Sequence, residues 1–305
     1  MASKMIASVF GSFLILTLFV SNATGQVQRT FVSGLGSDGN PCTRTAPCRT
    51  FAQALMGTSA GGEVYVLDSA GYAPFNISQS VSIVAPPGVT AGISVFSGDG
   101  VTINGGVNDT IILRGLTINN QGSAGKGILF NTGATLHVEN CVVNGFASAE
   151  GLLFTNTSKL EVKDSIFRGN TWGIVVAAGA AAIDGVRLER NSSDGLLAED
   201  GSKVAVRNSL ASAGTNGFTV TSNSAQNSEL SIENCFAFNN SGNGVSSGSF
   251  STGVAIVRVS NSIVTDNGVG FLGGSAPALF QSRGNNTVEG NGINVTGSVG
   301  SYTGK

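Results

Sequence analysis

Few side chains in this sequence of 305 residues could carry out acid–base chemistry. The only histidine is His137, and the repeat pattern described below makes Glu161 its neighbour. A histidine in contact with a carboxylate can titrate near neutral pH, so the two are candidates for a general acid and base. A solvent-exposed histidine in a ladder of mixed charges explains the same residues without catalysis. The charged residues that we name as candidates for ligand binding are Glu139, Lys163, Arg187 and Arg207.

Other patterns typical of catalytic or metal sites are missing from the sequence. It has no Asp-Asp or Asp-x-Asp pair, and its one adjacent acidic pair, Glu199-Asp200, precedes Gly201 in a predicted solvated turn. A single histidine and the lack of a Cys-x-x-Cys pair argue against a zinc site. We therefore predict no metal and no cofactor.

Composition limits the elements that could position these residues. Glycine accounts for 44 residues, about twice the ordinary share, and charged residues make up 11% against the usual value of about 25%. Each glycine would cost a helix about 1 kcal/mol, which excludes an all-α protein. A hydrophobic content of 41% is enough for a folded chain, and a net charge of −2 argues against nucleic acid as a partner.

The N-terminus has the pattern of an export signal. Lys4 precedes an apolar run from Met5 to Val20, and small or polar residues follow, so we predict a signal peptide over residues 1–25. The alternative, a retained membrane helix, needs about 20 apolar residues. We expect a secreted or periplasmic protein with no transmembrane segment after cleavage. Export permits disulfides, and Cys42 and Cys48 enclose only five residues, which predicts a bond between them.

Two phrases recur with a common period of 22 to 27 residues. The first is a glycine followed by an aliphatic residue, any residue and an apolar residue; its glycines are Gly127, Gly151, Gly173, Gly195, Gly217, Gly244 and Gly270. The second is an alternating apolar stretch that ends at an Asn or a substitute; its end positions are Arg114, Asn140, Asp164, Gly185, Asn208, Asn234, Asn261 and Asn285. A second polar position follows six residues later, at Asn170, Asn191, Gly214, Asn240, Asn267 and Asn291.

This repeat predicts an all-β parallel β-helix. Each period holds two or three short strands separated by turns rich in Asn and Gly, and it lacks the long helical segment of other solenoids. Stacked coils would place equivalent residues in columns about 4.8 Å apart. The inward column is Ile112, Val138, Val162, Ile183, Val206, Ile232 and Val259; the outward column is Glu139, Lys163, Asp184, Arg207, Glu233 and Ser260.

The remaining cysteines are predicted to be free. Cys141 and Cys235 would lie four coils apart, about 20 Å at that rise, whereas a disulfide needs Cα atoms within about 7 Å. We therefore expect two buried thiols.

The N-terminal part resembles the leader of exported right-handed β-helix proteins of the pectate-lyase-like superfamily. The residues that carry the resemblance are Phe31-Val32-Ser33, Gly36 to Pro41, Ala46 to Phe51, Ala54-Leu55 and Gly62 to Leu67. The resemblance implies a short helix that plugs one end of the coil, with Thr50 as its N-cap. We divide the chain into a signal peptide (1–25), an N-terminal cap (26–62) and a right-handed parallel β-helix (63–305).

This fold supports many unrelated functions, so the resemblance says little about chemistry. Hydrolases of the superfamily use Gly-His-Gly and Arg-x-Lys phrases, which this sequence lacks. We expect a monomer that binds extracellular or cell-surface polysaccharide without cleaving it. The alternative is a polysaccharide lyase or glycoside hydrolase acting on acidic glycans, and calcium would be needed only by a lyase.

Overall fold

The computed structural model describes residues 26–303 and confirms the right-handed parallel β-helix, in which each full coil contributes one strand to each of three parallel sheets. Sheet 1 has 12 strands: β1 (Val27–Val32), β2 (Thr58–Val66), β5 (Val81–Val84), β8 (Thr110–Arg114), β11 (Thr135–Glu139), β14 (Lys159–Lys163), β17 (Ala180–Asp184), β20 (Lys203–Arg207), β23 (Ser228–Glu233), β26 (Ala255–Ser260), β29 (Leu279–Ser282) and β32 (Val299–Ser301). Sheet 2 has 10 strands: β3 (Ala70–Tyr72), β6 (Ala91–Gly98), β9 (Leu116–Ala124), β12 (Val142–Asn144), β15 (Ile166–Arg168), β18 (Arg187–Glu189), β21 (Leu210–Ser212), β24 (Phe236–Phe238), β27 (Ile263–Thr265) and β30 (Thr287–Val288). Sheet 3 has 10 strands: β4 (Phe75–Ile77), β7 (Val101–Asn104), β10 (Ile128–Thr132), β13 (Glu150–Phe154), β16 (Trp172–Val176), β19 (Asp194–Ala198), β22 (Asn216–Ser222), β25 (Asn243–Ser249), β28 (Val269–Leu272) and β31 (Ile293–Thr296).

The predicted columns are confirmed from Val138 to Val259, with an error at one coil. Val138 pairs with Leu113, which is fully buried, whereas Ile112 pairs with the outward-facing His137. Because residues 111–113 are all apolar, alternation alone could not distinguish the inward residue from the outward one. The strand-ending position in that coil is therefore Gly115 and not Arg114.

The chain bends from sheet 1 to sheet 2 through a single residue in the left-handed region. Asn140 has φ 51°, and its equivalents are Gly115 (75°), Asp164 (47°), Gly185 (66°), Asn208 (51°), Asn234 (51°), Asn261 (47°) and Gly284 (80°). Gly, Asn and Asp tolerate this conformation best, which explains why they recur at this position. The register places Gly284, and not Asn285, in the last of these bends.

The second polar position forms a buried amide ladder. Asn170 donates to Asn191 Oδ1 (3.2 Å), and Asn240 donates to Asn267 Oδ1 (2.8 Å). The same side chains also bond to the backbone of neighbouring coils: Asn191 Oδ1 accepts from the Asn170 N–H and Asn191 Nδ2 donates to Phe167 O. These bonds satisfy the backbone groups at the bend from sheet 2 to sheet 3.

The repeated glycines stack in a column that leaves no space for a side chain. A Cβ on Gly151 would lie 2.7 Å from Gly173 O, 2.8 Å from Asn170 Nδ2 and 3.1 Å from the ring of Phe167. The carbonyl oxygen of the next glycine in the column blocks the equivalent space at Gly173, Gly195, Gly217 and Gly244. Steric exclusion of a side chain, and not a left-handed backbone, therefore explains why glycine recurs at this position in successive coils.

A short helix closes the N-terminal end, as the resemblance implied. Helix α1 (Phe51–Gly57) begins after Thr50, whose side chain accepts a hydrogen bond from the Gln53 N–H at 3.2 Å. Phe51, Ala54 and Leu55 are buried against the first coil. The disulfide between Cys42 and Cys48 is present, with a Cα–Cα distance of 4.6 Å.

Asp68 connects the cap to the first coils. Its carboxylate accepts hydrogen bonds from Ser33 Oγ (2.6 Å), the Gly34 N–H (2.7 Å) and Tyr72 Oη (2.8 Å). Burial opposes ionisation, but these three hydrogen bonds and the positive charge of Arg49 together outweigh it and hold the pKa of Asp68 below its ordinary value of 3.8.

We expect Asp68→Asn to destabilise the protein by about 1–2 kcal/mol at pH 7, because charge-assisted hydrogen bonds are lost. Since folding lowers this pKa, the stabilisation is present above pH 3.8 and is lost as the pH falls through the folded-state value. Urea unfolding at pH 7 and pH 3 should therefore show a smaller difference from the wild type at pH 3. Asp266→Asn is the control, because the Asp266 side chain is exposed and accepts no hydrogen bond within residues 26–303.

The two remaining cysteines are free and buried, as predicted. Burial raises the pKa of both Cys141 and Cys235 to about 11, which keeps them as thiols. No helix between residues 26 and 303 is long and apolar enough to cross a membrane. The predicted signal peptide, residues 1–25, lies outside the described residues.

Candidate functional site

The outer face of sheet 1 brings the predicted acid–base pair together. His137 on β11 faces Glu161 on β14, and the distance from Nδ1 to Oε2 is 3.1 Å. The side chain of His137 is 24% exposed and that of Glu161 is 56% exposed. Both are accessible to a ligand on this face.

The predicted ladder of alternating charge lies beside this pair. Arg114 Nε donates to Glu139 (2.8 Å), and Arg207 Nη2 donates to Asp184 (2.8 Å). Hydrogen bonds from Asn208 and Arg207 lower the pKa of Asp184, against the opposing effect of burial. Lys163 lies between Glu139 and Asp184 in the register and also favours the ionised form of Asp184.

Arg187 is the predicted binding residue that the structure places elsewhere. It lies on β18 in sheet 2, beyond the bend at Gly185, and its Nε donates to Glu189 at 2.8 Å. The columns predicted from the sequence did not take into account this bend, at which the chain passes from sheet 1 to sheet 2. Arg187 is therefore not part of the face that carries His137.

A shallow groove of about 480 Å³ continues along sheet 1 from β17. Ala182, Ala205 and Ser231 form its floor and occupy the column that starts with His137 and Glu161. Because these three side chains are small, the larger residues beside them stand above the floor. Asp184, Arg207 and Glu233 form one wall of the groove.

Three residues at the C-terminal end of the groove were missed by the sequence analysis: Arg258, Arg283 and Tyr302. Arg258 Nη1 pairs with Glu229 Oε2 at 2.8 Å, whereas Arg283 forms no ion pair within residues 26–303. The column of His137 contained the signal, because it continues through three small residues to Arg258. The outward column predicted from the sequence lies two residues further along each strand.

A second group of ionisable residues lies on sheet 3. The sequence predicted that Glu199 and Asp200 lie in a solvated turn. Asp200 does lie in a turn, but Glu199 is half-buried. Burial, and then the negative charges of Asp200, Glu150 and Asp194, raise the pKa of Glu199. A carboxyl group in this environment can hold a proton at higher pH than an ordinary glutamate.

Trp172 lies next to two of these acidic residues, Glu150 and Asp194. It pairs in register with Glu150 on one side, and the register on the other side places it opposite Asp194. Asp194 is buried and accepts hydrogen bonds from Thr219 Oγ1 (2.6 Å) and Asn216 Nδ2 (3.1 Å). Within residues 26–303, no group of three or more His, Cys, Asp or Glu side chains could hold a metal ion.

The three stacked parallel sheets and the amide ladder define a β-helix protein with solvent-exposed grooves along its coils. Residues 99–254 match the family model described as "Right handed beta helix region". The chain belongs to this family.

Solved structures share the fold at low sequence identity. Pectate lyase Pel9A aligns with a TM-score of 0.69 and 17% identity, covering 90% of this chain and 79% of that one. An alginate lyase from Paenibacillus sp. str. FPU-7 aligns with a TM-score of 0.62 and 15% identity, covering 90% of this chain and all of that one. No curated protein sequence matches the chain. At these identities the comparison identifies the fold and leaves the reaction open.

Proposed function

We propose that the protein binds an extracellular or cell-surface polysaccharide without cleaving it, along the groove of sheet 1. The observation that carries this proposal is the floor of Ala182, Ala205 and Ser231 beside a wall of taller charged side chains. Such a groove is open along the solenoid axis, so a linear chain can enter without threading. The likeness to pectate lyase and alginate lyase supports polysaccharide as the ligand class.

The chemistry of the groove suits a sugar chain that carries carboxylates. Apolar floor atoms can contact the C–H groups of a sugar ring, and the Tyr302 ring offers a larger apolar surface. Three arginines and two carboxylates line the groove, so its lining has a net charge of +1. The excess lies at Arg283, since Arg258 already pairs with Glu229, and the Arg283 guanidinium is available for bidentate binding of a carboxylate.

The location that fits this function is outside the cytoplasm. The Cys42–Cys48 disulfide supports this proposal, because disulfides persist in oxidising compartments. We propose a secreted or periplasmic monomer, which requires no metal for binding.

Arg283→Ala should weaken binding to polygalacturonate about tenfold, because it removes an exposed guanidinium that no carboxylate in the described chain pairs with. Affinity electrophoresis in native gels containing the polymer measures the change. Arg44→Ala is the matched control, since it removes an equal charge from an exposed position in the N-terminal cap. Equal weakening by both variants would indicate a general charge effect and would contradict the groove as the site.

The alternative function is a polysaccharide lyase or glycoside hydrolase, and the observation that favours it is the raised pKa of the half-buried Glu199. A general acid needs a carboxyl group of this kind. Incubation with acidic and neutral glycans, with and without calcium, followed by assays for unsaturated uronates and reducing ends, separates the functions. Products that disappear in Glu199→Gln, or in His137→Ala or Glu161→Ala, would overturn the proposal of binding without cleavage.

A further inference from the structure

We propose a second ligand-binding site on the outer face of sheet 2, for a neutral, hydroxyl-rich glycan chain. The site is a groove of about 430 Å³ that runs along three consecutive coils. One side of the groove is a row of amides and the other is a row of large apolar side chains. The residues that line it are Asn208, Ser209, Leu210, Asn234, Cys235, Phe236, Asn261 and Ile263.

The amide row consists of Asn208, Asn234 and Asn261, which occupy the left-handed bends between sheets 1 and 2. Unlike the buried asparagines of the ladder, all three are exposed to solvent. Asn234 Nδ2 donates to Asn208 Oδ1 at 2.7 Å, which fixes the orientation of both side chains. Within residues 26–303 the side-chain amide of Asn234 makes no other hydrogen bond, so one of its N–H groups and its Oδ1 remain available to a ligand.

The apolar row consists of Leu210, Phe236 and Ile263, which pair in register on β21, β24 and β27. Phe236 is 36% exposed and Ile263 is 45% exposed. The Phe238 ring lies 4.9 Å from that of Phe236 and widens the apolar surface. A continuous row of partly exposed aromatic and aliphatic groups rimmed by polar residues is a feature of binding grooves.

The floor between the two rows is made of small residues. Ser209 and Cys235 are both buried, and they separate each asparagine from the apolar residue two positions later. The Ser209 hydroxyl is used internally, because it donates to Arg207 O and accepts from the Val186 N–H. A ligand in the groove therefore meets amides on one side and apolar atoms on the other.

The absence of charge determines the ligand class. None of the eight lining residues is ionisable at neutral pH, so the groove offers no counter-charge to an acidic polymer. Sugar rings have apolar C–H faces and hydroxyls at their edges, which match the apolar row and the amide row. Adjacent amides are about 4.8 Å apart, and this regular spacing suits a linear polymer parallel to the solenoid axis.

The test is affinity electrophoresis of the full chain in native gels that contain hydroxyethylcellulose, xylan, galactomannan or dextran. We expect at least one of these neutral polymers to retard the wild-type protein. Phe236→Ala and Asn234→Gly should each weaken that binding about tenfold. Glycine is chosen at residue 234 because it removes the amide and keeps the left-handed backbone.

Matched controls remove the same chemistry from other places. Phe250→Ala deletes a more exposed ring (76% against 36% for Phe236) outside the groove, and Asn140→Gly deletes an asparagine from the equivalent bend in an earlier coil. Neither should change binding to neutral polymers. Circular dichroism confirms that each variant is folded.

Two results would overturn this inference. One is that none of the four neutral polymers retards the wild-type protein. Binding of an apolar peptide in place of these polymers would count as the same result. The other is that retardation is unchanged in both Phe236→Ala and Asn234→Gly. The proposed function is tested separately, since Arg283→Ala should affect polygalacturonate alone and the sheet 2 variants should affect neutral polymers alone.

Discussion

Gly151→Ala should destabilise the β-helix by about 3 kcal/mol, at the upper end of the cost of overpacking a core. The added methyl group would lie 2.7 Å from Gly173 O and 2.8 Å from Asn170 Nδ2. The carbonyl oxygen belongs to the backbone of the next coil, and the amide is fixed in the buried ladder, so neither can move away easily. Relief requires the two coils to separate locally, which weakens the hydrogen bonds between β13 and β16.

Urea unfolding followed by the fluorescence of Trp172, the only tryptophan, measures this effect in the adjacent strand. Gly71→Ala is the matched control, because Gly71 also lies in a strand but a Cβ there would have its nearest neighbour, Ser94 Oγ, at 3.8 Å. Alanine at that position should leave the midpoint unchanged or raise it slightly. An equal loss of stability in both variants would show that strand glycines matter for a reason other than steric exclusion.

The glycine column illustrates how much of the fold the sequence could predict. The recurrence of Gly127, Gly151 and Gly173 was visible as a phrase, and together with the asparagine phrase it predicted stacked coils correctly. The reason for the recurrence was not visible, because the atoms that exclude a side chain belong to the next coil. A linear pattern reveals that a position is restricted, and the three-dimensional register reveals what restricts it.

The error at Ile112 has a different physical origin. Registers are specified by alternation between apolar and polar residues, and the run from Ile111 to Leu113 contains no polar residue. Only the pairing of Val138 with Leu113 resolves the ambiguity. The prediction was correct wherever each strand alternated, as at Lys159–Lys163.

The candidate site was predicted only in part, for a geometrical reason. His137 and Glu161 were correctly placed as neighbours because both lie on sheet 1 in one column. Arg187 was grouped with them although a left-handed bend at Gly185 turns the chain onto another sheet. Arg258 could have been found by following the column of His137, whereas Arg283 lies outside that column and was recognised only from the groove in the structure.

Asn191→Ala should also destabilise the protein by about 3 kcal/mol or more, through lost hydrogen bonds. The buried Asn191 side chain accepts from the Asn170 N–H (3.1 Å) and from Asn170 Nδ2 (3.2 Å), and it donates to Phe167 O (3.1 Å). Alanine would leave all three groups without that partner in a region closed to water. An unsatisfied buried polar group costs about 1–3 kcal/mol, and three are affected together.

Asn140→Gly is the control for this prediction, since the Asn140 side chain makes no hydrogen bond within residues 26–303 and glycine accepts its left-handed backbone. Urea midpoints should differ strongly for Asn191→Ala and little for Asn140→Gly. Hydrogen exchange gives a local readout, because the Asn170 amide should lose protection in Asn191→Ala before amides of distant coils do. Unchanged protection of that amide would mean that water or another group replaces the asparagine, and the ladder would then contribute shape and not stability. If protection is lost only near residue 170, the coils can unfold locally, as expected for a solenoid in which each coil contacts only its neighbours.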